Sequence, residues 1–297
     1  MLKMPVGLYE KALPPELSWD ERLAAAGEAG YDFIDISIDE TDERLARLDW
    51  TGSEKAALRR AIANTGVRIS TMCLSAHRKF PLGSHDPAVR RQGQEIMYKA
   101  IEFAVDIGLR VVQVMAYDVF YETSDEETRA NFMEGLELGT RMAAQAGMML
   151  GLENLDTPFV ENASQGLAII DEINSPWLHL YLDMGNLAAA GYSPPHELRL
   201  TKDKLLGIHV KDAAPKVIRG IPFGEGIVPF RETFRALADI GFCGMLGVEM
   251  WGYMHTDQDP IEHAAAAKRF VDGLVAEAWA IERSSGPSLA IPDLRAL

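Results

Sequence analysis

Eight short apolar segments recur along the chain at fairly regular spacing, near residues 6, 34, 70, 112, 151, 180, 208 and 247. Short apolar runs of this kind are typical of strands that are buried on both faces. The intervals between the runs are long enough to hold a helix in most cases. Alternation of strand and helix indicates an α/β fold built on a parallel sheet.

Several of the intervals show the periodicity of an amphipathic helix. The clearest is segment 88–107, where one face carries Ile96, Met97, Ala100, Ile101, Ala104 and Ile107. Similar patterns predict helices over 19–29, 55–65, 126–146, 229–239 and 260–281. Gly66 follows the second of these and is placed to end it as a C-terminal cap.

Eight strand–helix units predict a (β/α)₈ TIM barrel, a fold of about 250 residues, in this chain of 297 residues. The rival is a doubly wound open sheet, which would carry Gly-x-Gly-x-x-Gly after its first strand. Gly7-Leu-Tyr-Glu-Lys has no such turn. No linker divides the chain, so we expect one barrel domain over 1–283. The helix-breaking sequence from Ser284 predicts a tail over 284–297, either disordered or packed on a neighbour.

Composition excludes several classes of partner. The net charge of −15 disfavours nucleic acid, whose binding requires Lys and Arg to neutralise phosphates, but it permits a small phosphorylated substrate. No apolar run reaches the roughly 18 residues of a transmembrane helix, and the N-terminus does not resemble a signal peptide. Cys73 and Cys243 are too few for a disulfide framework, and we expect both to be buried free thiols. The cytoplasm is the expected location.

Four titratable residues stand at the C-terminal ends of apolar runs. The runs are Met149-Leu-Gly-Leu-Glu153, Leu178-His-Leu-Tyr-Leu-Asp183, Leu206-Gly-Ile-His209 and Leu246-Gly-Val-Glu249. Burying such groups is costly unless something pairs with them. In a barrel these residues would converge over one half of the mouth, where functional groups collect. Three carboxylates and one imidazole predict a site for a divalent cation of the Mn, Co, Zn or Mg kind.

A metal at this place suggests chemistry at a carbon beside a carbonyl group. It would chelate the carbonyl and hydroxyl oxygens of a ketose and acidify the adjacent C–H. Glu153 and Glu249, facing each other across the site, could then transfer protons. Removal from one face and return to the other gives an epimer, whereas transfer on one face between adjacent carbons gives an isomer. The spacing leaves both outcomes open.

Longer segments outside these four positions resemble one family. They are Leu8-Tyr-Glu-Lys-Ala-Leu-Pro14, Asp39-Glu-Thr-Asp-Glu-Arg-Leu45, Arg47-Leu-Asp-Trp50, Met72-Cys-Leu-Ser-Ala-His-Arg78, Phe80-Pro-Leu-Gly-Ser84, His209-Val-Lys-Asp212, Pro222-Phe-Gly-Glu-Gly226 and Glu249-Met-Trp251. In these segments the chain resembles the bacterial L-ribulose-5-phosphate 3-epimerases, also called L-xylulose-5-phosphate 3-epimerases, of the xylose-isomerase-like barrel superfamily. It departs from them at Asn154, where an apolar residue is usual, and in its Pro-containing tail.

The resemblance implies an isomerase that interconverts L-ribulose 5-phosphate and L-xylulose 5-phosphate through a metal-bound enediolate. The implied metal ligands are Glu153, Asp183, His209 and Glu249. The implied acid/base pair is Glu153 and Glu249. We accordingly expect a sugar phosphate as the substrate, a homo-oligomer, and no nucleic-acid or membrane partner.

Further residues on the predicted barrel rim are candidates for substrate binding. His77, Arg78 and Lys79 follow the third strand, Lys11 follows the first, and Trp251 follows Glu249. Lys211 shares a strand face with His209 and is, with the Arg78–Lys79 pair, the expected phosphate contact. Each of these residues could instead be structural, as a satisfied loop histidine, a solvated loop charge or a core tryptophan. Arg219 and Lys216, after the seventh strand, lie in a common phosphate-binding region of barrels.

Other functions fit parts of the pattern. A hexulose-phosphate or other aldose–ketose isomerase would transfer protons between C1 and C2 rather than exchange them at C3. A free-ketose 3-epimerase of the tagatose type would not need the phosphate. A nucleic-acid repair enzyme should be basic and carry a histidine where this chain has Asn186. A sugar-binding protein would not need two glutamates beside a metal.

Overall fold

The computed structural model describes residues 4–254 and 259–285, and within them eight parallel strands close into a single barrel. The strands are β1 (Val6–Tyr9), β2 (Phe33–Ile38), β3 (Arg68–Leu74), β4 (Val111–Met115), β5 (Met149–Glu153), β6 (Leu178–Asp183), β7 (Leu205–Val210) and β8 (Met245–Val248). Each strand pairs with its sequence neighbours, and β1 pairs with β8 to complete the circle. The prediction of a (β/α)₈ barrel is confirmed, because each apolar run coincides with one strand.

Helices surround the barrel. They are α1 (Trp19–Glu28), α2 (Asp42–Leu45), α3 (Gly52–Thr65), α4 (Pro87–Ile107), α5 (Glu126–Ala146), α6 (Ala163–Ile173), α7 (Met184–Ala189), α8 (Pro194–Thr201), α9 (Phe230–Asp239) and α10 (Pro260–Ser285). The six predicted helices are present within a few residues of their predicted bounds, and α2, α6, α7 and α8 are additional. The predicted tail starts inside α10, and its remainder, residues 286–297, lies outside the described residues.

Local sequence signals explain where helices begin and end. At the start of α1, Ser18 and Glu21 form a reciprocal capping box, and Thr51 and Glu54 do the same for α3. A cap of this type stabilises a helix by about 1 kcal/mol. Gly66 ends α3 at a φ of 74°, in the left-handed region that glycine enters without strain, as predicted.

Glycines inside the barrel make room for two aromatic side chains near the site. A methyl group at Gly151 would lie 2.9 Å from Cβ of Tyr181, and one at Gly207 would overlap the tyrosine ring. A methyl group at Gly247 would lie 2.9 Å from the imidazole of His209. Tyr181 is fully buried, so side chains fill the barrel interior below the site.

The two cysteines differ in environment. Cys73 is buried on β3, as predicted, whereas Cys243 is exposed. The prediction of burial for Cys243 is wrong because this residue lies in the turn between α9 and β8, ahead of the strand. Among the described residues, no helix is long and apolar enough to cross a bilayer.

Candidate active site

The structure brings the four predicted strand-end residues together. Glu153 and Asp183 are the last residues of β5 and β6, His209 is next to last in β7, and Glu249 directly follows β8. All four are buried, and one ligand atom from each lies within 4.8 Å of the others. The closed barrel therefore places three carboxylates and one imidazole around one point.

The imidazole of His209 presents its two nitrogens to different partners. Nδ1 lies 2.9 Å from Oε1 of Glu153, 3.8 Å from Oδ2 of Asp183 and 3.9 Å from Oε2 of Glu249. Nε2 points the other way, into the barrel. Nδ1 is consequently the nitrogen that faces the carboxylate group.

Two buried asparagines hold the ends of β5 and β6 together. Asn154 accepts a hydrogen bond from the backbone N–H of Asp183 at 2.7 Å, and its amide donates to the carbonyl of the same residue. Asn186 donates to the carbonyl of Asn154 at 2.9 Å. The N–H of Asn186 donates to Oδ1 of Asp183, which caps α7. These bonds fix the Asp183 carboxylate, and they give Asn154 a structural role that an apolar residue could not fill.

Lys211, the residue directly after β7, joins the same cluster. Its Nζ lies 2.7 Å from Oε2 of Glu249 and 2.9 Å from Oδ2 of Asp183, and its side chain is buried. A methyl group at Gly185 would lie 2.5 Å from Cγ of Lys211, so this glycine provides the space for the lysine stem. Lys211 therefore lies at the floor of the site and does not extend to the rim.

Burial and neighbouring charges raise the pKa of two of the carboxylates and lower the pKa of the third. Burial raises the pKa of Asp183 to about 7, even though Lys211 attracts its anionic form. Burial also raises the pKa of Glu153 despite the adjacent His209. Burial acts against the ionisation of Glu249 as well, but Lys211 and His209 together outweigh it and lower its pKa to about 2.

The donor set fits a divalent cation. Carboxylate oxygens and a neutral imidazole nitrogen are ligands that Mn, Zn and related metals accept. Oε2 of Glu153 is buried without a hydrogen-bond partner among residues 4–254 and 259–285. An orphaned carboxylate oxygen in a buried cluster of acids is costly unless a cation completes it. The four residues therefore form a possible metal-binding site.

A cavity of about 560 Å³ opens above the cluster and is lined by Glu153, Glu249 and Lys211. This volume lies within the range of small-molecule sites, roughly 300–1,000 Å³. Its apolar walls include Tyr9, Leu13, Met115, Leu155, Ile218 and Trp251. Tyr9 and Trp251 meet edge to face, with ring centroids 6.0 Å apart. Trp251 thus forms part of the pocket wall.

Cations surround the pocket, and most of them are already paired. Lys11 lies 2.6 Å from Asp39, Arg44 lies 3.0 Å from Glu10, and Arg78 lies 3.8 Å from Glu40. Arg219 differs, because within the described part of the chain it has no carboxylate partner. Its guanidinium instead lies 5.1 Å from the ring centroid of Trp251.

Three of the sequence candidates for substrate binding do not line the pocket, namely Lys79, Lys216 and His77. His77 lies against α4 instead. Its Nε2 donates to the carbonyl of Gly93 on α4 at 3.0 Å, and the ring is buried. Burial lowers its pKa to about 4, so the ring is neutral. The His77 side chain thus has a structural partner on α4, outside the pocket.

Sequence reasoning missed two residues of interest. Arg44 lines the pocket, but it follows an acidic run that reads as a solvated helix cap. Asp35 lies inside the barrel within 3.3 Å of Nε2 of His209. A carboxylate within the apolar run Phe33-Ile-Asp-Ile-Ser-Ile38 was the available signal for Asp35.

The eight parallel strands close into a TIM barrel that carries an acid-and-histidine cluster at the C-terminal ends of its strands, where the functional groups of such barrels collect. The family described as xylose isomerase-like TIM barrel matches residues 23–272. The chain is also 46% identical to the L-ribulose-5-phosphate 3-epimerase UlaE of Escherichia coli O139:H28 (strain E24377A / ETEC), over 94% of this chain and 98% of that protein. The chain therefore belongs to the xylose isomerase-like TIM-barrel family and, within it, to the L-ribulose-5-phosphate 3-epimerases. The resemblance found in the sequence is confirmed.

A second relative agrees with this assignment, and solved structures share the fold. The enzyme of the same name from Salmonella heidelberg (strain SL476) is 45% identical over the same shares of the two chains. A structure of L-ribulose 3-epimerase superposes with a TM-score of 0.78 at 20% identity, covering 97% of this chain and all of the other. The apo form of 3-keto-D-glucoside 4-epimerase from E. coli gives 0.75 at 18% identity, with coverage of 91% and 100%. At these identities the structures support the fold alone.

Proposed function

We propose that this protein is a metal-dependent 3-epimerase that interconverts L-ribulose 5-phosphate and L-xylulose 5-phosphate. One observation carries the proposal: Glu153 and Glu249, two of the four residues of the acid-and-histidine cluster, line a single pocket. The substrate is suggested by the name of a relative that is 46% identical over 94% of the chain. The proposed class of enzyme is therefore an isomerase acting on a carbohydrate phosphate.

The proposed metal ligands are carboxylate oxygens of Glu153, Asp183 and Glu249, together with Nδ1 of His209. When bound, a divalent metal supplies a Lewis acid that polarises a carbonyl and acidifies the neighbouring C–H. Asn154 and Asn186 orient Asp183 through the hydrogen bonds described above.

Two glutamates supply the proton transfer in this proposal. Glu153 comes from β5 and Glu249 follows β8, so they approach the pocket from strands separated by β6 and β7. One carboxylate removes the proton from C3, and the other carboxyl group returns a proton to the opposite face. Lys211 holds Glu249 in place through a 2.7 Å contact. Inversion at C3 follows from this two-sided arrangement.

The phosphate end of the substrate is assigned to the rim. Phosphate binding relies on charge-assisted hydrogen bonds from basic groups. Arg219 is the best placed because it lines the pocket and has no carboxylate partner among the described residues. Lys11 and Arg78 also line the pocket and would have to share their charge with Asp39 and Glu40. Lys211 is the least suited, since its ammonium is bonded at the floor.

Proton NMR in D₂O tests the proposal directly. Each of the two pentulose phosphates is incubated with metal-loaded enzyme, and an EDTA-treated sample serves as the control. We expect conversion of each sugar into the other with deuterium incorporated at C3. Formation of an aldose by transfer between C1 and C2 would indicate an isomerase instead. Equal turnover of unphosphorylated ketoses would indicate a free-ketose 3-epimerase, and absence of turnover would indicate a binding protein.

We also propose that the enzyme is a cytoplasmic homo-oligomer built from one domain over residues 1–283. Free thiols at Cys73 and Cys243 suit a reducing compartment. Tyr98 and Val105 on α4 are about half exposed and offer an apolar surface for a second copy. Light scattering after size-exclusion chromatography measures the mass, and a monomer of 32.8 kDa would contradict the oligomer.

A further inference from the structure

A buried carboxylate that the proposed reaction does not use lies inside the barrel. Asp35, on β2, is fully buried, and it does not line the pocket. Its Oδ2 accepts a hydrogen bond from the side-chain amide of Gln113 at 2.8 Å. The same oxygen lies 3.3 Å from Nε2 of His209. Barrel interiors are normally filled by branched apolar side chains, so a carboxylate at this depth requires an explanation.

The cost of burying Asp35 is offset by a specific partner. Among the described residues, His209 is the one cationic or potentially cationic side chain within ion-pair distance of Asp35. The other carboxylate oxygen of Asp35, Oδ1, has no hydrogen-bond partner among the described residues. Gln113, anchored on β4, therefore directs Oδ2 toward His209. The arrangement links two residues 174 positions apart across the barrel.

We propose that Asp35 is a positioning residue for the metal site, acting through His209. Because Nδ1 of His209 faces the carboxylate cluster, its lone pair must be free for a metal, and the proton of the neutral ring must reside on Nε2. An acceptor at Nε2 selects this tautomer and fixes the ring plane. Asp35 is that acceptor. The inference rests on the proposed metal site and assigns no contact between Asp35 and the substrate.

Metal affinity provides the first test. Zn²⁺ binding to apoenzyme is measured by competition with a chromophoric chelator for wild type, Asp35→Leu, Asp35→Asn and Thr71→Val. Loss of such a hydrogen-bond partner weakens metal binding by about 10- to 100-fold, which is the loss expected for Asp35→Leu. Asp35→Asn retains an acceptor oxygen and should lose less. Thr71 is the matched control, since it pairs with Asp35 in register on β3 and its hydroxyl has no partner among the described residues. Thr71→Val should bind Zn²⁺ as wild type does.

NMR of the wild-type enzyme gives a second test that does not depend on a variant folding. In Zn²⁺-loaded protein with ¹⁵N-labelled histidine, His209 should carry its proton on Nε2 and show metal bonding at Nδ1. Unchanged Zn²⁺ affinity in a folded Asp35→Leu variant would overturn the role of Asp35 while leaving the metal site intact. A proton on Nδ1 in the Zn²⁺-loaded protein would overturn both the role of Asp35 and the assignment of Nδ1 as a metal ligand. Absence of Zn²⁺ binding by wild type would overturn both proposals.

Discussion

The ammonium group of Lys211 lies 2.7 Å from Oε2 of Glu249 and 2.9 Å from Oδ2 of Asp183. A cation supplied by the chain is thus built into the carboxylate cluster proposed to bind a metal. It lowers the repulsion among the buried carboxylates and holds two of them in fixed positions. The stability of the fold and the affinity for metal are consequently linked at this residue.

Replacing Lys211 by methionine should destabilise the apoenzyme. Removal of one partner from a buried ion pair typically costs about 3–5 kcal/mol, because the other charge is left uncompensated. Added Mn²⁺ should raise the melting temperature of Lys211→Met more than that of wild type. Lys268→Met is the control, since Lys268 is also buried and paired, with Asp272, outside the site. If Mn²⁺ raised the melting temperature of Lys211→Met and Lys268→Met by the same amount, Lys211 would not link fold stability to metal affinity.

Removing the metal should abolish activity and lower thermal stability. A ligand that binds only the folded state at 100 times its dissociation constant stabilises that state by about 2.7 kcal/mol. The measurement compares turnover and calorimetric melting temperature before chelation, after chelation, and after Mn²⁺ is restored. Full activity with an unchanged melting temperature after exhaustive chelation would show that the cluster does not hold a required metal.

Glu153→Gln and Glu249→Gln should each reduce kcat strongly. General acid–base groups contribute about 10²- to 10⁴-fold, and both residues are also proposed ligands. Metal content must therefore be measured for each variant before rates are compared. Asp183→Asn is the reference variant, because Asp183 is a proposed metal ligand without a role in proton transfer. At saturating metal, kcat of Asp183→Asn should recover more fully than kcat of either glutamine variant. If metal-loaded Glu249→Gln turned over near the wild-type rate, Glu249 would have no part in proton transfer.

Arg219→Met should weaken the preference for phosphorylated substrate. Its loss removes a charged contact to the distal end of the sugar, and remote binding energy also orients the reacting carbon. We expect kcat/KM for L-xylulose 5-phosphate to fall while that for free L-xylulose stays unchanged. Lys216→Met, in the same loop but outside the pocket, should behave as wild type. An unaltered preference in Arg219→Met would move the assignment to Lys11 or Arg78.

His77 should make the fold less stable at mildly acidic pH. Burial lowers its pKa from an ordinary 6.5 to about 4, so the unfolded chain binds the proton more readily. Its contribution is complete above pH 6.5 and is lost as the pH falls to 4, with a maximum of about 3 kcal/mol. Between pH 4 and 7, the free energy of unfolding measured with urea should depend less steeply on pH for His77→Gln than for wild type. His196→Gln, which alters an exposed histidine, should keep the wild-type dependence.

Much of the architecture follows from local sequence. Apolar runs and helical periodicity are read within a few residues, and they predicted eight strands and a closed barrel. Glu153, Asp183, His209 and Glu249 could be singled out because each ends such a run, and parallel strands in a barrel end at the same face. Strand position alone was sufficient to predict their convergence.

Tertiary structure decided what surrounds those four residues. Barrel closure brings Asp35 on β2 to His209 on β7, and no local pattern encodes a contact across 174 positions. Lys211 points to the floor of the site, where its ammonium pairs with Glu249, and His77 points toward α4, where its ring bonds the carbonyl of Gly93. Both partners come from other parts of the chain. Lys11 and Arg78 are paired with carboxylates, whereas Arg219 lies against the ring of Trp251. Strand periodicity determines which residues reach the site, whereas their partners and charges depend on packing among segments distant in sequence.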